Sequence, residues 1–239
     1  MAAGIQEVFV LLKGEEDSMR PVRVRVTGNP GCGKSHFALT FPDPITVFDY
    51  DEGLDDLLDK DVFKDKEIEV IDCSLPIQWS TKKKTFGKKE WEFFIEQYEI
   101  ALEVAKTVVI DTGTTFGEIV IAAVAETLGV KQLMPYQYGD RNAYIKAIVN
   151  MAKKAEVNLV FTQHMKDVYV NEQRTGEKEP DGWGRLGGLV DWDIFMEVRR
   201  AKDGTVATDS YINKCRLERS IIGETYEDID YASLADLVE

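Results

Sequence analysis

The segment Gly28–Ser35 reads Gly-Asn-Pro-Gly-Cys-Gly-Lys-Ser, the residue pattern of a phosphate-binding loop. The alternating run before it, Val22–Thr27, predicts a strand, and the run after it, His36–Thr40, is typical of the start of a helix. A strand, a Gly-rich turn and a helix N-terminus together direct backbone N–H groups and the positive end of the helix dipole at a phosphate. The alternative is a chance Gly-rich turn, which these flanks disfavour. The sequence therefore predicts a nucleoside triphosphate site.

Positions within this phosphate loop have predicted roles in binding ATP and Mg²⁺. Gly28, Gly31 and Gly33 permit backbone conformations that a Cβ atom would block. Lys34 is placed to reach the β- and γ-phosphates, and the Ser35 hydroxyl to bind Mg²⁺. Four more residues complete the predicted contacts around the cofactor: Asn29, Pro30, Cys32 and His36. Cys32 is either a small filler or a thiolate favoured by the helix N-terminus.

The charge of the chain limits the partners that we expect. Its 43 acidic residues outnumber its 29 basic residues, which gives a net charge of −14. Non-specific DNA affinity grows with the number of phosphates that a protein neutralises, so any DNA contact must be local, through loops. The three cysteines form no Cys-x-x-Cys pair, and with two histidines a zinc site is not expected. We find no signal-peptide pattern and no membrane-length apolar run, so we expect a cytoplasmic protein without membrane contact, in a bacterial or archaeal host cell if it is viral.

Alternating strand and helix patterns predict an α/β fold. Apolar runs at Ile45–Asp49, Ile68–Asp72, Thr107–Asp111 and Asn158–Thr162 read as buried strands between helical stripes. This alternation predicts a mostly parallel central sheet with helices on both faces. Near the C-terminus the pattern changes to antiparallel strands, expected around 167–171, 194–199 and 210–217. We expect an N-terminal strand or arm over residues 1–21, which includes the apolar run 8–12, a core over 22–220 and an acidic C-terminal segment over 221–239.

Acidic residues follow two of the predicted strands, where ligands bind in parallel sheets. Asp111 is placed to hold Mg²⁺ through water beside Ser35, although an Asp there is also typical of an ordinary turn. Glu52 is the candidate for orienting the attacking water, in competition with Asp49 and Asp51. The alternative for all three acids is a simple acidic helix start.

The order of these segments resembles the RecA/RadA-like P-loop ATPases. Asp49–Gly53 looks like the Asp-x-Glu-Gly turn of that family with one extra residue. Within this superfamily the sequence is similar to phage-type nucleotide-binding proteins of the "AAA domain" group, which includes the Sak-type single-strand-annealing ATPases. The other segments that carry the resemblance are Gly28–Ser35, Phe41–Pro44, Asp51–Leu54, Val109–Thr112 and Phe161–His164. The resemblance implies a RecA-like P-loop NTPase core and ATP hydrolysis.

The same resemblance implies two further roles. Gln163 or His164 lies where relatives carry a polar sensor of the γ-phosphate, although a strand-end pair that satisfies backbone groups is an equal alternative. Lys214 and Arg216 alternate on a predicted strand, and relatives insert such a pair into the nucleotide site of the neighbouring subunit. The alternative for this pair is solvent exposure. Two further arginines could take the same role: Arg199 and Arg200.

Three segments are candidates for contact with single-stranded DNA, each with a solvated surface loop as the alternative. The first is the Gly-rich segment Gly182–Gly188, which contains Trp183 and follows Arg174 and Lys178. The second candidate contains Tyr136, Tyr138 and Arg141, and the third contains Lys82–Lys84, Lys88 and Lys89 beside Trp79 and Phe86.

We therefore expect a Mg²⁺-dependent ATPase that acts on single-stranded DNA in phage-type recombination, annealing or replication. The expected assembly is a homo-oligomer with the nucleotide near the subunit interface, and a single-strand-binding or replication protein is a further expected partner. One alternative is a nucleotide-dependent switch or assembly protein without turnover. Another is a small-molecule kinase, which is disfavoured because the sequence has only scattered arginines where such kinases need an Arg-rich lid.

Overall fold

The computed structural model describes residues 19–74, 87–200 and 202–238, together with the backbone of 77–78 and 83–84. Two sequence predictions therefore lie outside the described residues. One is the apolar run 8–12 of the N-terminal arm. The other is the lysine cluster at 82–84 with its neighbouring aromatic residues at 79 and 86, of which only the backbone of 83–84 is described.

A central sheet organises the described part of the chain, with strand order β12-β11-β10-β1-β7-β6-β2-β3. From β10 to β3 all neighbouring strands are parallel, and β10-β11 and β11-β12 are antiparallel. The small hairpins β4-β5 and β8-β9 stand outside this sheet. The strands are β1 Arg23–Gly28, β2 Ile45–Asp49, β3 Ile68–Asp72, β4 Ile77–Gln78, β5 Lys83–Lys84, β6 Thr107–Asp111, β7 Asn158–Gln163, β8 Met165–Val170, β9 Gln173–Pro180, β10 Trp192–Arg200, β11 Val206–Cys215 and β12 Thr225–Glu227.

Helices cover both faces of the sheet, because the central strands β1, β2, β6 and β7 are buried along their whole length and need cover on each side. One core lies between the sheet, α1 and the C-terminal α7, and contains Phe37 and Leu234. The other lies beneath α3, α4 and α5, and contains Phe94, Phe116 and Ile148. The helices are α1 Lys34–Leu39, α2 Asp55–Leu58, α3 Lys88–Val104, α4 Gly113–Thr127, α5 Tyr138–Ala155, α6 Leu186–Leu189 and α7 Tyr231–Asp236, with 3₁₀ turns at Asp61–Phe63 and Pro135–Gln137.

The C-terminal strands include the antiparallel pairs that the sequence predicted. The segment 194–199 belongs to β10, which is antiparallel to β11, and the segment 167–171 belongs largely to β8, which is antiparallel to β9. The prediction did not specify that β10 also pairs with β1 in parallel, or that β8 and β9 form a hairpin outside the central sheet. Apolar alternation predicts a strand but not its neighbours, so only the tertiary structure gives these pairings.

The acidic C-terminal segment packs on the core. Ile229 and Leu234 are buried, and the backbone N–H of Tyr231 donates to Thr40 Oγ1 at the end of α1. Asp230 accepts a hydrogen bond from the N–H of Ser233 and so caps α7. In the part of the chain that the structure describes, no helix has the length and apolar character needed to cross a membrane.

Candidate nucleotide site

The phosphate loop joins the end of β1 to the start of α1 at the carboxyl edge of the sheet. Gly31 and Gly33 have φ angles of 77° and 90°, in the left-handed region that favours glycine. A Cβ atom at Gly28 would lie 2.4 Å from the backbone oxygen of Met196 on β10, so only glycine fits between the two strands. These three requirements explain the glycine pattern and leave a backbone cradle open to a ligand.

The Lys34 side chain folds back over this loop. Its Nζ donates to the carbonyl oxygens of Gly28 at 3.2 Å and Asn29 at 2.9 Å, and the residue is only 5% exposed. Both acceptors are uncharged carbonyl groups, which bind an ammonium group more weakly than a charged oxygen does. A phosphate oxygen is a stronger acceptor than a carbonyl, and Lys34 is placed to exchange one for the other.

Carboxylates from two neighbouring strands stand beside the loop. Asp111 ends β6 and is in register with Asp49 at the end of β2, and both residues are buried. The hydroxyl of Thr162, on β7, donates to Asp111 Oδ1. Burial raises the pKa of Asp49, and the charge of Asp111 raises it further, against the backbone hydrogen bonds from Asp51 and Glu52. This pair of acids provides the hard oxygen ligands that Mg²⁺ prefers.

One cavity of about 340 Å³ contains most of these groups. Lys34 and Ser35 line it from the loop, and Asp49, Asp111 and His164 line it from the strand ends. A glycine cradle, a lysine, a hydroxyl and two carboxylates match the chemistry of a magnesium-bound polyphosphate. The described residues therefore fit the nucleotide and the metal that the sequence predicts.

The position of Glu52 differs from that of its two competitors. Glu52 is exposed, has a φ of 53° and does not line the cavity, whereas Asp49 and Asp51 do. Asp51 Oδ2 lies 3.1 Å from His164 Nε2, and this hydrogen bond is the main cause that lowers the pKa of Asp51. The catalytic role of Glu52 stays a prediction, and of these three acids the fold brings Asp49 and Asp51 to the cavity.

The two predicted sensors occupy different environments. Gln163 is 1% exposed, and its Oε1 has no partner in the described structure. His164 lines the cavity and contacts Asp51. Its backbone N–H donates a hydrogen bond to Thr114 Oγ1 at 3.1 Å, which holds the residue in place. Only His164 therefore faces the nucleotide cavity directly, and Gln163 lies in the sheet behind it.

Several residues that line the cavity or contact its lining are absent from the sequence-based set, or had no role there. Thr162 is the most informative, because its contact with Asp111 depends on the pairing of β6 with β7. Leu57 and Lys60 reach the cavity from the segment after β2. No local pattern marks these residues, since strand register and loop path bring them to the site.

The remaining loop residues serve mainly to pack the site. His36 lines the cavity, and its ring lies edge-on to Phe63 at 5.0 Å between centroids. Cys32 is 2% exposed, and burial raises its pKa despite the nearby charge of Lys34. The geometry thus favours Cys32 as a filler and is contrary to the hypothesis of a reactive thiolate.

Lys214 and Arg216 contact the C-terminal end of α6. Lys214 Nζ donates to the carbonyl oxygens of Gly187, Gly188 and Val190, at 2.7, 3.1 and 2.8 Å, and Arg216 also donates to Gly188. Thr208, on the same strand as Lys214, lies beside Gly33 of the phosphate loop. Lys214 is six residues further along β11, which places it about 20 Å from the loop of its own chain. A role in a neighbouring subunit stays a prediction.

The alternative arginines lie at the other end of this hairpin. Arg199 forms ion pairs with Asp209 and Glu227 across the strands β10, β11 and β12. Arg200 follows it at the end of β10 and is exposed. The side chain of Arg199 is thus engaged within the sheet.

Two of the predicted DNA loops are neighbours in space. Tyr136 is 81% exposed, and the guanidinium of Arg141 lies 4.7 Å from the centre of the Tyr138 ring. Burial lowers the pKa of Arg141, and the charge of Arg185, from the Gly-rich segment, lowers it further. Trp183 is only 6% exposed, so its ring does not offer the stacking face that the sequence suggested.

The fold and the site together define a P-loop nucleotide-binding protein. The sequence matches the AAA_24 family model, described as an AAA domain, over residues 20–217, and the chain belongs to this family. Among solved structures, a KaiC-like protein from the hyperthermophilic archaeon Pyrococcus horikoshii is similar, with a TM-score of 0.52 and 16% identity over 87% of this chain and 85% of that one. A comparison with curated proteins found no significant match.

These comparisons confirm the predicted class of fold. The KaiC-like neighbour shares the RecA-type arrangement of a mostly parallel sheet with helices and antiparallel C-terminal strands. The family match and this fold identify a P-loop ATPase.

Proposed function

We propose that this protein hydrolyses ATP with Mg²⁺ in the cavity between the phosphate loop and the ends of β2, β6 and β7. One observation carries the proposal. Asp111 lines the same cavity as Lys34 and Ser35, although it comes from a distant part of the chain. Membership of the AAA domain family and the RecA-type fold support it. When bound, the metal would supply positive charge that stabilises the phosphate oxygens while the γ-phosphoryl group is transferred to water.

Different residues of the chain would bind the triphosphate, hold the metal and orient the attacking water. The amides of the phosphate loop and Lys34 hold the triphosphate, and the hydroxyl of Ser35 and the carboxylate of Asp111 hold Mg²⁺. Thr162 keeps Asp111 in one orientation through its hydroxyl. His164 holds Asp51 at the mouth of the site. We propose Asp51 as the group that orients the attacking water, in place of Glu52, because Asp51 lines the cavity.

The DNA-binding part of the proposal concerns a small exposed patch. Aromatic rings and guanidinium groups come together here from the start of α5, the 3₁₀ turn before it and the Gly-rich segment: Tyr136, Tyr138, Arg141 and Arg185. Stacking on aromatic rings combined with local positive charge suits single-stranded DNA. A local patch is also what the net charge of −14 allows. On this basis we propose action on single-stranded DNA in recombination, annealing or replication, as a homo-oligomer with Lys214 and Arg216 near a neighbouring subunit's nucleotide.

Measurement of ATP turnover tests the catalytic proposal. We expect Mg²⁺-dependent release of phosphate, and a loss of about 100-fold or more in Lys34→Ala, because a preorganised charge at the phosphate is removed. Lys64→Ala is the matched control, since Lys64 is an exposed lysine paired with Asp61. An unchanged rate in Lys34→Ala would refute the site. Binding without turnover would favour the switch alternative, and transfer of phosphate to a metabolite would favour the kinase.

A gel-shift series with single-stranded oligonucleotides and a non-hydrolysable ATP analogue tests the DNA proposal. We expect Tyr136→Ala and Arg141→Ala each to weaken binding by about 10-fold, from lost stacking and charge. Lys106→Ala is the control, because this exposed lysine lies just before the start of β6, at the opposite edge of the sheet. Equal effects of all three substitutions would mean that binding is non-specific attraction and not contact at this patch.

A further inference from the structure

Two lysines from distant parts of the chain meet on one residue of the phosphate loop. Lys34 Nζ donates to the backbone oxygen of Asn29 at 2.9 Å, and Lys178 Nζ donates to Asn29 Oδ1 at 2.7 Å. Lys34 is the residue that binds the β- and γ-phosphates in loops of this kind. Asn29 therefore contacts the phosphate-binding lysine, and Lys178 is held on the same residue.

Lys178 is carried by the hairpin of β8 and β9, which begins directly after His164. The base of this hairpin is tied to the core: the N–H of Asp181 donates to His164 O at 2.8 Å, and Thr114 Oγ1 donates to Asp181 O at 3.0 Å. Lys178 is opposite Asp167, close to this fixed base. The chain thus contacts the site at two points in this region, through His164 just before the hairpin, which bonds Asp51, and through Lys178 on the hairpin, which bonds Asn29 of the phosphate loop.

The charges around Asn29 are unbalanced. Among the residues that the structure describes, neither Lys34 nor Lys178 forms an ion pair with a carboxylate. The other cations of the hairpin do, since Lys166 pairs with Glu179 and Asp181, and Arg174 pairs with Asp167. Two like charges held on one residue repel each other, and an anion between them would be attracted to both. Their convergence in a protein with excess negative charge points to an anionic ligand.

We propose that Lys178 is a second cation of the triphosphate site, which exchanges Asn29 Oδ1 for an oxygen of the γ-phosphate. This inference rests on the proposed ATPase function and deepens it. Because Lys178 belongs to the hairpin, whose base is tied to the core, ATP would then hold the hairpin more tightly against the site than ADP does. Tyr169 and Val170, near the end of the hairpin, are 62% and 56% exposed, so a change in the hairpin would alter an accessible part of the protein surface.

Comparison of two nucleotides in Lys178→Met tests this proposal. The readouts are the dissociation constants of a non-hydrolysable ATP analogue and of ADP, with hydrogen exchange of residues 165–180. We expect the substitution to weaken binding of the analogue by about 10-fold or more, as for a hydrogen bond to a charged group. Binding of ADP should stay within about twofold of wild type, because ADP lacks the γ-phosphate. In wild type the analogue, but not ADP, should slow exchange in the hairpin, and this difference should disappear in Lys178→Met.

Lys166→Met is the matched control, because Lys166 lies on the same hairpin but pairs with Glu179 and Asp181. It should keep the wild-type ratio of the two dissociation constants, and Lys178→Arg should restore much of the discrimination. A wild-type ratio in Lys178→Met, or an equal loss for both nucleotides, would mean that Lys178 only braces the loop and would overturn the proposal. If wild type binds and hydrolyses ATP normally, such a result leaves the proposed function intact. Failure of wild type to bind either nucleotide would overturn both.

Discussion

The hydroxyl of Thr162 on β7 donates a hydrogen bond to Oδ1 of Asp111 at the end of the neighbouring β6. On its other side Asp111 is in register with Asp49 of β2, so the carboxylate lies between a hydrogen-bond donor and a second acid. The hydrogen bond fixes the direction of the Asp111 carboxylate. Through this contact the sheet itself orients the proposed magnesium ligand.

We expect Thr162→Val to lower ATP turnover by about 10-fold to 100-fold, which is the usual cost of losing a residue that orients a metal ligand. The concentration of Mg²⁺ needed for half-maximal activity should rise, because the Asp111 carboxylate is no longer fixed. A Mg²⁺ titration of phosphate release measures both effects. Thr127→Val is the control, since the Thr127 hydroxyl donates only to the Ala123 carbonyl of its own helix. An unchanged Mg²⁺ requirement in Thr162→Val would contradict this role.

Asp51→Asn and Glu52→Gln separate the two candidates for orienting water. We expect Asp51→Asn to lower kcat by about 100-fold, the order of magnitude for a lost general base, with little change in nucleotide affinity. Glu52→Gln should stay within about threefold of wild type, because Glu52 does not line the cavity. Single-turnover kinetics measure the chemical step. The reverse pattern would restore Glu52 to the catalytic role that the sequence predicted.

Asp49→Asn should stabilise the fold in a pH-dependent way. Burial and the charge of Asp111 raise the pKa of Asp49 above its unfolded value. For such an acid both states are protonated at low pH, and stability falls as the pH rises past the unfolded pKa towards the folded one. The asparagine cannot ionise, but its Oδ1 still accepts the N–H groups of Asp51 and Glu52. Urea unfolding should therefore show a larger stabilisation of Asp49→Asn at pH 8 than at pH 4.

The matched control for this pH series is Asp56→Asn, which changes an exposed acid on α2. If Asp49→Asn has the same effect on the free energy of unfolding at both pH values, this result contradicts a raised pKa of Asp49 in the folded protein. A destabilisation at pH 8 would mean that the Asp49 carboxylate is favoured in the fold, contrary to the burial argument.

Lys214→Met should destabilise the protein even without nucleotide. The substitution removes one ammonium from three carbonyl oxygens at the end of α6. A fully buried acceptor that loses its donor costs about 1–3 kcal/mol, and these acceptors are only partly buried, so we expect a loss of about 1 kcal/mol. Thermal or urea unfolding measures the change, with Lys202→Met in an exposed turn as the control. Normal stability combined with a loss of turnover would instead support action of Lys214 at a nucleotide.

Much of the fold was predictable because buried parallel strands leave a strong local signal. The strands β2, β6 and β7 contain apolar runs, β1 alternates polar and apolar residues, and the glycine pattern of Gly28–Ser35 reflects backbone angles that only glycine adopts easily. The full set of neighbours of a strand was less predictable: β10 has the predicted antiparallel partner in β11, but its parallel pairing with β1 was not predicted, because alternation carries no information about neighbours. The burial of Trp183 was missed for a similar reason, since a Gly-rich flank suggests a loop whether or not it packs.

The sequence by itself determined that a phosphate loop follows the first strand and that acids end the neighbouring strands, because these are local chemical patterns. Only the tertiary structure decided which acid enters the cavity, that Thr162 binds Asp111, and that Lys34 and Lys178 meet on Asn29. The physical reason is that the contact of Thr162 with Asp111 joins residues 51 positions apart in the chain, and the contact of Lys178 with Asn29 joins residues 149 positions apart. Strand register and the path of the hairpin bring these residues within hydrogen-bond distance. Neither can be predicted from a short segment of the sequence.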